Sequence, residues 1–431
     1  MEKIIISGGA PLRGEVNIGG AKNAVLALLA GTILAKDACR IDNIPDISDV
    51  AVMLHILHQL GAEVRRVGKY AYEINTKYFD SGEVPYELTK HCRASYYLLG
   101  ALFGRFGHAR VAMPGGCDFG VRPIDLHIRG FEQLGALYKF EKNAIISLQA
   151  ENEQPCGNVT HMNFSVGATI NIMLAAARAR GVTVIENPAK EPHVVDLANF
   201  LNSCGADVRG AGTDVIKVHG VKELHGCDYA AIPDQIEAGT YMAAAAATHG
   251  HVLVQGIIPK HMECITSKLI ECGAHIEEYD DAILVEAPQR LQRCKIKTMP
   301  YPGFPTDMQP QFGALLAMAE GTSILSEGIF DNRFRYMEQL TRMGAQLKVD
   351  GKVAVIEGVP QLRGAQVKAY DLRAGAAMII AGLCAQGTTE VESIEYIDRG
   401  YEDIVGKLQG LGADIRRREV REFGSEIKAA G

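Results

Sequence analysis

Hydrophobic and polar positions alternate along this chain in a pattern that recurs at an even period. A helix that ends in Gly-Ala and leads into a strand is predicted six times, in the segments QLGAEV, QLGALY, SCGADV, ECGAHI, RMGAQL and GLGADI. Their glycines stand 68 to 74 residues apart, at Gly61, Gly135, Gly205, Gly273, Gly344 and Gly412. Six such signals at one period indicate a repeat, in which each glycine closes a helix in the left-handed conformation.

The order of elements within each repeat unit points to one fold class. A polar or glycine-containing start leads into an Ala-rich helix, as in EAGTYMAAAAATHG, and a strand, an amphipathic helix, the Gly-Ala turn and further strands follow. The first helix is apolar nearly all round, which is typical of a buried helix. Because one unit cannot bury this helix alone, we predict an α/β protein of two similar domains, each built from three βαβαββ repeats around buried helices.

The boundary between the domains is predicted in the link between the third and fourth units, near Gly226 to Pro233. The first strand of the chain precedes the first full helix, so residues 1–20 are expected to join the last units. The predicted domains are therefore residues 22–231 and residues 1–21 together with 232–431.

Composition and charge exclude several classes of function. The 431 residues carry a net charge of −7, which argues against nucleic acid or an anionic membrane as the main partner. The longest apolar runs are too short to span a bilayer, and the start MEKIIISGG indicates a strand rather than a signal peptide. Ten cysteines are scattered singly, without C-x-x-C or paired Cys/His spacing, which favours a reducing cytoplasm and no structural zinc.

Polar residues fall into two registers of the repeat. The first lies 36 to 42 residues before the marker glycines, at the start of the buried helices, and comprises Lys22, Arg93, Ser165, Glu237, Asp307 and Arg373. The second lies 11 to 14 residues before them, in the loop that leads to the second helix, and comprises Arg122, Glu191, Arg333 and Arg399. Equivalent loops project from one face, so the six cationic side chains are expected to share a surface with helix N-termini. Such a surface is an anion site, where arginine suits phosphate and carboxylate.

Local roles stay open for some of these residues. Asp307 in GFPTDMQPQF has the position of a plain N-cap as well as that of a site carboxylate. Glu191 precedes a proline and could only shape a turn, and Asp398 could cap a helix or pair with a nearby arginine. Three cysteines in apolar helical contexts are expected to act as small buried hydrophobes: Cys204, Cys272 and Cys384.

A thiol occupies a glycine-rich loop in the stretch MPGGCDFGVRPIDLH. Cys117 follows two glycines and leads to Arg122, so this loop is expected to open on the anion face. Nearby arginines and helix N-termini favour the thiolate and make such a thiol a usable proton donor or nucleophile. The adjacent Asp118 acts in the opposite direction, because its charge disfavours the thiolate. Spacing alone leaves both a catalytic and a structural role open for Cys117.

Six short motifs stand in order along the whole chain: GAKN at Gly20–Asn23, PGGC at Pro114–Cys117, RPIDLH at Arg122–His127, SVGAT at Ser165–Thr169, FPTDMQ at Phe304–Gln309 and DRGYE at Asp398–Glu402. Together they resemble the UDP-N-acetylglucosamine 1-carboxyvinyltransferase family of enolpyruvyl transferases, and the combination of PGGC with RPIDLH is the most specific. The resemblance implies a pair of inside-out α/β barrels that close over a cleft, in agreement with the six predicted repeats.

The resemblance implies a reaction in which the enolpyruvyl group of phosphoenolpyruvate is transferred to the 3′-hydroxyl of UDP-N-acetylglucosamine and inorganic phosphate leaves. This is the first committed step of peptidoglycan synthesis, in the bacterial cytoplasm. It implies these two molecules as partners, with no metal and no organic cofactor. Phosphoenolpyruvate becomes a good electrophile only after C3 is protonated, so the site needs an acid, a base and several cations. Domain closure over the two anionic substrates is expected to exclude water.

The resemblance also implies residue roles. Cys117 would be the general acid at C3, able to form a phospholactoyl adduct and to react with the epoxide fosfomycin, and Asp307 would be the base near the attacking hydroxyl. Lys22 and Arg399 would complete the catalytic set. The implied substrate contacts are Lys22 and Asn23 for both substrates, Arg122 and Arg399 for the phosphate and carboxylate of phosphoenolpyruvate, Arg93 for the sugar nucleotide, Arg122, Pro123, Ile124, Asp125 and Leu126 for uridine, Ser165, Val166 and Gly167 for the diphosphate, Asp307 and Ile329 for the sugar, and Arg333 and Arg373 for the closed cleft.

Three positions depart from the family's usual residues. Gln235 in PDQIEAGT stands where arginine is common, His193 in EPH where a second carboxylate is common, and Asp118 where a small or apolar residue is common. None falls on the implied acid or base. They leave open a non-catalytic or specialised paralogue that binds the sugar nucleotide, and an enolpyruvyl transferase for another hydroxyl acceptor, such as shikimate phosphate. The loop cysteine and RPIDLH argue against this second alternative.

Overall fold

Six four-stranded sheets form the β-structure of the computed structural model, which describes residues 2–79, 82–89, 93–113 and 124–419, apart from the side chains of Arg93 and Asn143. Within these residues the strands are, in chain order, β1 (Glu2–Ser7), β2 (Arg13–Asn17), β3 (Cys39–Asp42), β4 (Glu63–Gly68), β5 (Ala71–Asn75), β6 (Glu83–Val84), β7 (His108–Ala112), β8 (Ala136–Glu141), β9 (Ile145–Ala150), β10 (Val159–His161), β11 (Val182–Glu186), β12 (Asp207–Arg209), β13 (Val215–His219), β14 (Asp228–Ala230), β15 (His251–Gln255), β16 (His275–Glu278), β17 (Ala282–Glu286), β18 (Lys295–Lys297), β19 (Thr322–Ser326), β20 (Gln346–Asp350), β21 (Val353–Glu357), β22 (Gln366–Lys368), β23 (Thr388–Glu392) and β24 (Asp414–Glu419).

The same part of the chain forms the helices α1 (Lys22–Gly31), α2 (Ser48–Gln59), α3 (Tyr86–Thr89), α4 (Tyr97–Phe106), α5 (Asp125–Gln133), α6 (Val166–Ala176), α7 (Pro192–Ser203), α8 (Gln235–Ala247), α9 (Glu263–Glu271), α10 (Gln309–Leu316), α11 (Met337–Arg342), α12 (Leu372–Cys384) and α13 (Ile404–Gly410). None of these helices combines the length and the apolar character that a bilayer-spanning helix requires.

The sheets confirm the predicted βαβαββ unit. Apart from the four-residue α3, the second unit runs β6, α4, β7, α5, β8, β9, and its strands lie in the order β6-β7-β9-β8. The first two strands of each sheet are parallel, as a helical crossover requires, and the others pair antiparallel. Three sheets include a strand from a distant part of the chain. β14 is the first strand of the first sheet, β2 is the first strand of the fourth, and β1 has the position in the sixth sheet that β9 has in the second.

The first helix of each unit is buried, as its composition predicted. In α8 every residue from Ile236 to Ala247 is buried, and α8, α10 and α12 pack against one another. Small side chains such as alanine let helix backbones approach closely inside a ring of sheets. The described residues form two separate hydrophobic cores, one within residues 25–231 and the other within residues 4–18 and 236–415. We call these the first and the second lobe.

The marker glycines adopt the predicted left-handed conformation. Their φ values are between 80° and 96° at all six helix ends, from Gly61 to Gly412. Each therefore ends an outer helix and turns the chain into the next strand.

The chain passes between the lobes twice, and the two passages lie side by side. The Ala21 N–H donates to the Ile232 carbonyl at 2.7 Å, and the Asp234 N–H donates to the Gly19 carbonyl at 2.9 Å. A Cβ atom on Gly20 would lie 1.7 Å from the carbonyl oxygen of Asn43, so only glycine fits this passage. The paired passages bring the N-terminal ends of α1 and α8 to the junction of the lobes.

Candidate active site

The polar residues of the first register lie at the N-terminal ends of the buried helices, as predicted. Lys22 is the first residue of α1, Ser165 caps α6 and Arg373 lies in the first turn of α12. Asp307 lies in the short 3-10 helix Thr306–Met308 that leads into α10, and it makes no capping hydrogen bond there. The N-cap alternative for Asp307 is therefore wrong. Exposed N–H groups and the helix dipole favour anions at these ends.

One carboxylate joins cationic side chains from both lobes. The Lys22 Nζ lies 2.6 Å from Asp49 Oδ2, and both residues belong to the first lobe. The Arg399 Nε of the second lobe donates to Asp49 Oδ1 at 2.9 Å, and its Nη2 donates to Oδ2 at 3.3 Å. The sequence analysis missed Asp49. It stands 12 residues before Gly61, within the second register, and that spacing is the signal that would have found it.

Asp49 is buried, with a side chain only 5% exposed, but it is charged. Burial raises the pKa of its carboxyl, whereas the positive charges of Lys22 and Arg399 outweigh burial and lower the pKa below its usual range. The carboxylate also lies in the first turn of α2, where helix N–H groups favour an anion. With two cations and one anion, the group keeps a net positive charge at the lobe junction.

A second carboxylate is held by two arginines. The Arg333 Nη2 lies 3.1 Å from Asp307 Oδ1, and the Arg373 Nη2 lies 3.1 Å from Asp307 Oδ2. The arginine side chains are 1% and 4% exposed, whereas that of Asp307 is 29% exposed. The guanidinium of Arg373 also faces the ring of Tyr401 at 5.4 Å. The arginines therefore form a buried floor, and the carboxylate faces outwards from it.

The charge of Asp307 is strongly stabilised. Burial would raise the pKa of its carboxyl, but the guanidinium groups of Arg373 and Arg333, with a smaller contribution from Lys22, bring the pKa down to about 2. Asp307 is thus a carboxylate at any physiological pH. Such a group accepts hydrogen bonds, orients a hydroxyl and stabilises positive charge that develops nearby.

Asp234 joins the starts of two buried helices at the lobe junction. Its Oδ1 caps α8 by accepting the N–H groups of Ile236 and Glu237, and its Oδ2 accepts the Lys22 N–H at 3.1 Å. The start of α1 in the first lobe is thereby tied to the start of α8 in the second. Asp234 was also missed, although an Asp before an Ala-rich helix is a recognisable N-cap signal.

Glu237, in the first register, supports the passage between the lobes rather than an anion. Its Oε1 lies 2.6 Å from Lys407 Nζ, and its Oε2 accepts the Gly19 N–H at 2.9 Å. The side chain is 5% exposed. Both carboxylate oxygens therefore have structural partners.

The residues at the start of α7 reach the lobe junction from the first lobe. Glu191 makes no capping hydrogen bond, and its Oε1 accepts the backbone N–H of Tyr301 in the second lobe at 3.4 Å. His193 is buried, and burial lowers its pKa to about 4 although the charges of Asp234 and Asp307 act in the opposite direction. His193 is therefore a neutral side chain facing two carboxylates. Gln235, which like His193 differs from the residue common in the family, is half-buried at the start of α8.

The described residues at the starts of α5 and α6, which are implied for the sugar nucleotide, lie side by side in the first lobe. Ser165 Oγ accepts the Ala168 N–H at 3.4 Å and opens α6, with Val166 and Gly167 in its first turn. A Cβ atom on Gly167 would lie 2.8 Å from Nε2 of His127 in α5. The start of α5, with Ile124, Asp125 and Leu126, therefore lies beside the start of α6. Asn23, half-buried, is the second residue of α1.

Ile329 lies in a loop organised by a buried carboxylate that the sequence analysis missed. Glu327 Oε1 accepts the Ile329 N–H at 2.8 Å, the Phe330 N–H at 3.1 Å and the Thr298 hydroxyl at 2.8 Å. Its Oε2 accepts the hydroxyl of Thr306, the neighbour of Asp307, at 3.0 Å. Glu327 thus couples the position of Ile329, 37% exposed, to that of the Asp307 turn.

Several predicted site residues lie outside the described residues: Cys117, Asp118, Arg122 and Pro123, together with the side chain of Arg93. Asp398 pairs with an arginine, which is one of the two roles that the sequence left open. Its Oδ2 accepts a hydrogen bond from Arg417 Nη1 at 3.0 Å. Of the three cysteines predicted to be buried, Cys204 and Cys272 are buried and Cys384 is half-buried.

Comparisons with known proteins agree with the geometry. The EPSP synthase (3-phosphoshikimate 1-carboxyvinyltransferase) family profile matches residues 6–408. The chain is 55% identical to UDP-N-acetylglucosamine 1-carboxyvinyltransferase 3 of Caldanaerobacter subterraneus subsp. tengcongensis, over 97% of this chain and 99% of the relative. It is 53% identical to UDP-N-acetylglucosamine 1-carboxyvinyltransferase of Clostridium botulinum, over 97% of this chain and 100% of the relative.

Solved structures confirm the predicted fold class. The enolpyruvyl transferase NikO from Streptomyces tendae superposes with a TM-score of 0.88 at 26% identity, covering 97% of this chain and 99% of that one. EPSP synthase from Acinetobacter baumannii superposes with a TM-score of 0.75 at 17% identity, covering 97% of this chain and 100% of that one. The second similarity concerns the fold alone.

Proposed function

The chain belongs to the UDP-N-acetylglucosamine 1-carboxyvinyltransferase family, and we propose that it transfers the enolpyruvyl group of phosphoenolpyruvate to the 3′-hydroxyl of UDP-N-acetylglucosamine. Inorganic phosphate leaves, and the reaction is the first committed step of peptidoglycan synthesis. Identities of 53% and 55% over nearly the whole of both chains support this substrate pair. No comparable sequence identity supports the acceptor of EPSP synthase, which shares only the fold with this chain.

The observation that carries the proposal is the pairing of two carboxylates with four cations at the lobe junction. Asp49 holds Lys22 and Arg399, and Asp307 holds Arg333 and Arg373. Both groups keep a net positive charge, which suits a substrate with a phosphate and a carboxylate next to a nucleotide diphosphate. Because the cations come from both lobes, the arrangement forms only when the two lobes approach each other. This closure of the lobes also excludes water from the reacting atoms.

We propose the following roles for the junction residues. Lys22 and Arg399 bind the phosphate and carboxylate of phosphoenolpyruvate together with Arg122, and Arg333 and Arg373 orient Asp307. Asp307 accepts the proton of the 3′-hydroxyl. Its low pKa is compatible with this role, because the hydroxyl becomes strongly acidic as its oxygen bonds to an oxocarbenium-like C2. Cys117 supplies the proton to C3 before that attack.

The sugar nucleotide is proposed to lie against the first lobe. Ser165, Val166 and Gly167 offer the diphosphate the N-terminal end of α6, where N–H groups and the helix dipole favour an anion. The remaining proposed contacts are Asn23, Arg93, Arg122, Pro123, Ile124, Asp125 and Leu126 around the nucleotide and Ile329 against the sugar. Ile329 reaches the substrate from the second lobe, so this contact is completed on closure.

We also propose that the domains are residues 22–231 and residues 1–21 with 232–431. The two separate hydrophobic cores and the paired passages at Gly20 and Pro233 support these bounds. We place the reaction in the cytoplasm, a proposal supported by ten cysteines that are scattered singly, without C-x-x-C or paired Cys/His spacing.

Phosphate release tests the proposed function. The chain is assayed with phosphoenolpyruvate and either UDP-N-acetylglucosamine or shikimate 3-phosphate as the acceptor. We expect release only when phosphoenolpyruvate and UDP-N-acetylglucosamine are both present. Phosphate release with phosphoenolpyruvate and shikimate 3-phosphate, but not with UDP-N-acetylglucosamine, would contradict the proposed acceptor. Binding of the sugar nucleotide without phosphate release would identify a non-catalytic paralogue.

Matched variants separate the site from a general effect on the protein. Lys22→Ala should abolish most of the release, because Lys22 is 10% exposed at the lobe junction and pairs with Asp49. Lys36→Ala removes a lysine that is 58% exposed and pairs with Glu223 on the surface, and it should leave the rate unchanged. Cys117→Ser should also abolish release if Cys117 is the acid.

A further inference from the structure

Three thiols of the first lobe lie together, away from the proposed active site. Cys39 is the first residue of β3, Cys227 directly precedes β14, and Cys204 directly follows α7. The Sγ atoms of Cys204 and Cys227 lie 3.3 Å apart and share a hydrogen bond. Cys39 lies near both and contributes to the pKa shift of each. The described residues contain no group of His, Cys, Asp or Glu arranged to hold a metal ion, so this cluster is not a metal site.

The repeat architecture places these thiols next to one another. β14 pairs parallel with β3 in the register Asp228 opposite Arg40, so the preceding residues, Cys227 and Cys39, are also neighbours. The His225 N–H donates to the Cys204 carbonyl at 2.9 Å and holds the approach to β14 against the end of α7. Backbone pairing on both sides therefore keeps the Cys204 and Cys227 sulfurs in contact.

The three thiols differ in access and acidity. Cys39 and Cys204 are 0% and 1% exposed, whereas Cys227 is half-buried and can meet a small solute. Hydrogen bonds from Cys204 and then Cys39 lower the pKa of Cys227, and the hydrogen bond with Cys227 raises the pKa of Cys204. Because the ionised form of a thiol is better solvated at an accessible position than in the core, Cys227 is the thiol of the pair that is placed to react as a thiolate. An accessible thiolate beside a second thiol is the arrangement of a redox-sensitive cysteine.

We propose that Cys227 and Cys204 form a redox modification site, at which hydrogen peroxide converts the two thiols into a reversible disulfide. The Cys227 thiolate attacks one peroxide oxygen, the O–O bond breaks and releases hydroxide, and Cys227 becomes a sulfenic acid. The sulfur of Cys204 then displaces this hydroxyl, which leaves as water with the Cys204 proton. Two thiols are oxidised by two electrons, and the peroxide is reduced. The sulfurs need to approach by about 1.3 Å from their present 3.3 Å to reach bonding distance.

The cross-link would connect two segments that lead to the lobe junction. α7 carries Glu191 and His193 at its other end, and β14 continues into the passage at Pro233 and the cap at Asp234. Disulfides in reducing compartments are usually transient, which agrees with a site that is reduced at rest.

The chain contains an equivalent thiol pair that serves as an internal control. Cys272 follows α9 and Cys294 precedes β18, as Cys204 follows α7 and Cys227 precedes β14. The two thiols are hydrogen-bonded, but they are 0% and 3% exposed. Because neither sulfur can meet peroxide in the folded protein, this pair should stay reduced.

Peptide mapping tests the proposal on the full chain. The folded protein is treated with hydrogen peroxide, remaining thiols are alkylated after unfolding, and peptides are identified by mass spectrometry without reduction. We expect a Cys204–Cys227 cross-linked peptide that disappears with dithiothreitol, and alkylated Cys272 and Cys294. Recovery of both Cys204 and Cys227 as thiols, or a cross-link through Cys39, would overturn the assignment. Equal cross-linking of Cys272 to Cys294 would overturn the argument from access.

A variant tests the order of the two steps. In the double variant Cys39→Ser, Cys204→Ser, Cys227 should accumulate as sulfenic or sulfinic acid, because both neighbouring thiols are missing. Circular dichroism verifies that this variant is folded. If it does not fold, the peptide map of the wild-type protein still tests the proposal. A Cys227 that stays unmodified in the folded variant would contradict its role as the attacking thiolate.

Discussion

The carboxylate of Asp49 in the first lobe accepts two hydrogen bonds from the guanidinium of Arg399 in the second, 350 positions later in the chain. The same carboxylate holds Lys22 at 2.6 Å. A cation from each lobe therefore takes its position from one buried anion. Closure of the lobes and assembly of the phosphoenolpyruvate site are, on this geometry, the same event.

Replacement of Asp49 by asparagine should lower kcat/KM for phosphoenolpyruvate. The amide side chain keeps the volume of the carboxylate but loses the charge that holds Lys22 and Arg399, and a displacement of about 1 Å at a reacting group costs on the order of 10²-fold in rate. Steady-state phosphate release measures the effect. Asp46→Asn is the matched control, since Asp46 is 69% exposed and lies 3.9 Å from Arg66. Equal kcat/KM in the wild type and Asp49→Asn would show that Asp49 does not position these cations.

Replacement of Asp307 by asparagine should lower kcat far more than it changes KM for UDP-N-acetylglucosamine. The amide cannot accept the hydroxyl proton, and loss of a general base typically costs about 10²- to 10⁴-fold in rate. Asp331→Asn, at an exposed ion pair with Lys352, should behave like the wild type. A raised KM with unchanged kcat would assign Asp307 to binding alone.

The arginine floor under Asp307 should be visible in the pH dependence of the rate. With a pKa of about 2, the wild-type carboxylate does not titrate above pH 4 and cannot produce an acid limb there. Arg333→Gln removes one guanidinium, so the pKa of Asp307 should rise and an acid limb should move upward in pH. A kcat profile that is identical in the wild type and in Arg333→Gln would contradict this account.

The buried His193 should weaken the fold in mild acid. Its pKa is about 4 in the folded chain, against about 6.5 in an unfolded chain. Between these values only the unfolded chain binds the proton, so the free energy of unfolding falls with falling pH, by about 1.4 kcal/mol per pH unit. His193→Gln removes this contribution. From pH 7 to pH 5 the wild type should therefore lose about 2 kcal/mol more than the variant.

Urea unfolding at the two pH values measures the His193 effect. His55→Gln is the control, because His55 is exposed on α2 and should leave the pH dependence of the wild type unchanged. If His193→Gln loses as much stability as the wild type between the two pH values, the burial of a neutral imidazole is not the cause.

Glu327→Ala should weaken sugar-nucleotide binding more than turnover. The substitution removes the acceptor of four hydrogen bonds, two of them from the backbone of Ile329 and Phe330. Hydrogen bonds to a charged group contribute about 1.5–3 kcal/mol, so KM for UDP-N-acetylglucosamine should rise about 10-fold or more. Steady-state kinetics with Ile329→Ala as the reference variant measures this, and Glu320→Gln at an exposed position is the control. A change confined to kcat would contradict a role through the Ile329 loop.

Much of the fold was accessible from local pattern. The six Gly-Ala turns, the Ala-rich helices and the alternating strands predicted βαβαββ repeats, because helix ends and burial leave signals within a few residues. The pattern placed residues 1–20 with the last units, but it did not show that β2 completes the fourth sheet and β1 the sixth, or that β14 begins the first. Their partners lie far along the chain, and short strands carry no signal of which sheet edge they complete.

The candidate site divides in the same way. Register in the repeat brought Lys22, Asp307, Arg333, Arg373 and Arg399 to one expected surface. It did not show which of them pair, and it passed over Asp49 and Glu327. A buried carboxylate has no distinctive neighbours in sequence, since the groups that pair with it arrive from other elements.

The sequence by itself therefore determined the repeat, the buried helices and the helix ends at which polar residues stand, because these depend on interactions over a few residues. The tertiary structure decided the ion pairs. Whether Asp49 is a surface charge or the anion between two lobes depends on Lys22 and Arg399 reaching it. The low pKa of Asp307 likewise depends on Arg333 from another loop and on Arg373 from the first turn of α12. Electrostatic energies depend on distance in space and on burial, and both exist only once the two lobes have folded and met.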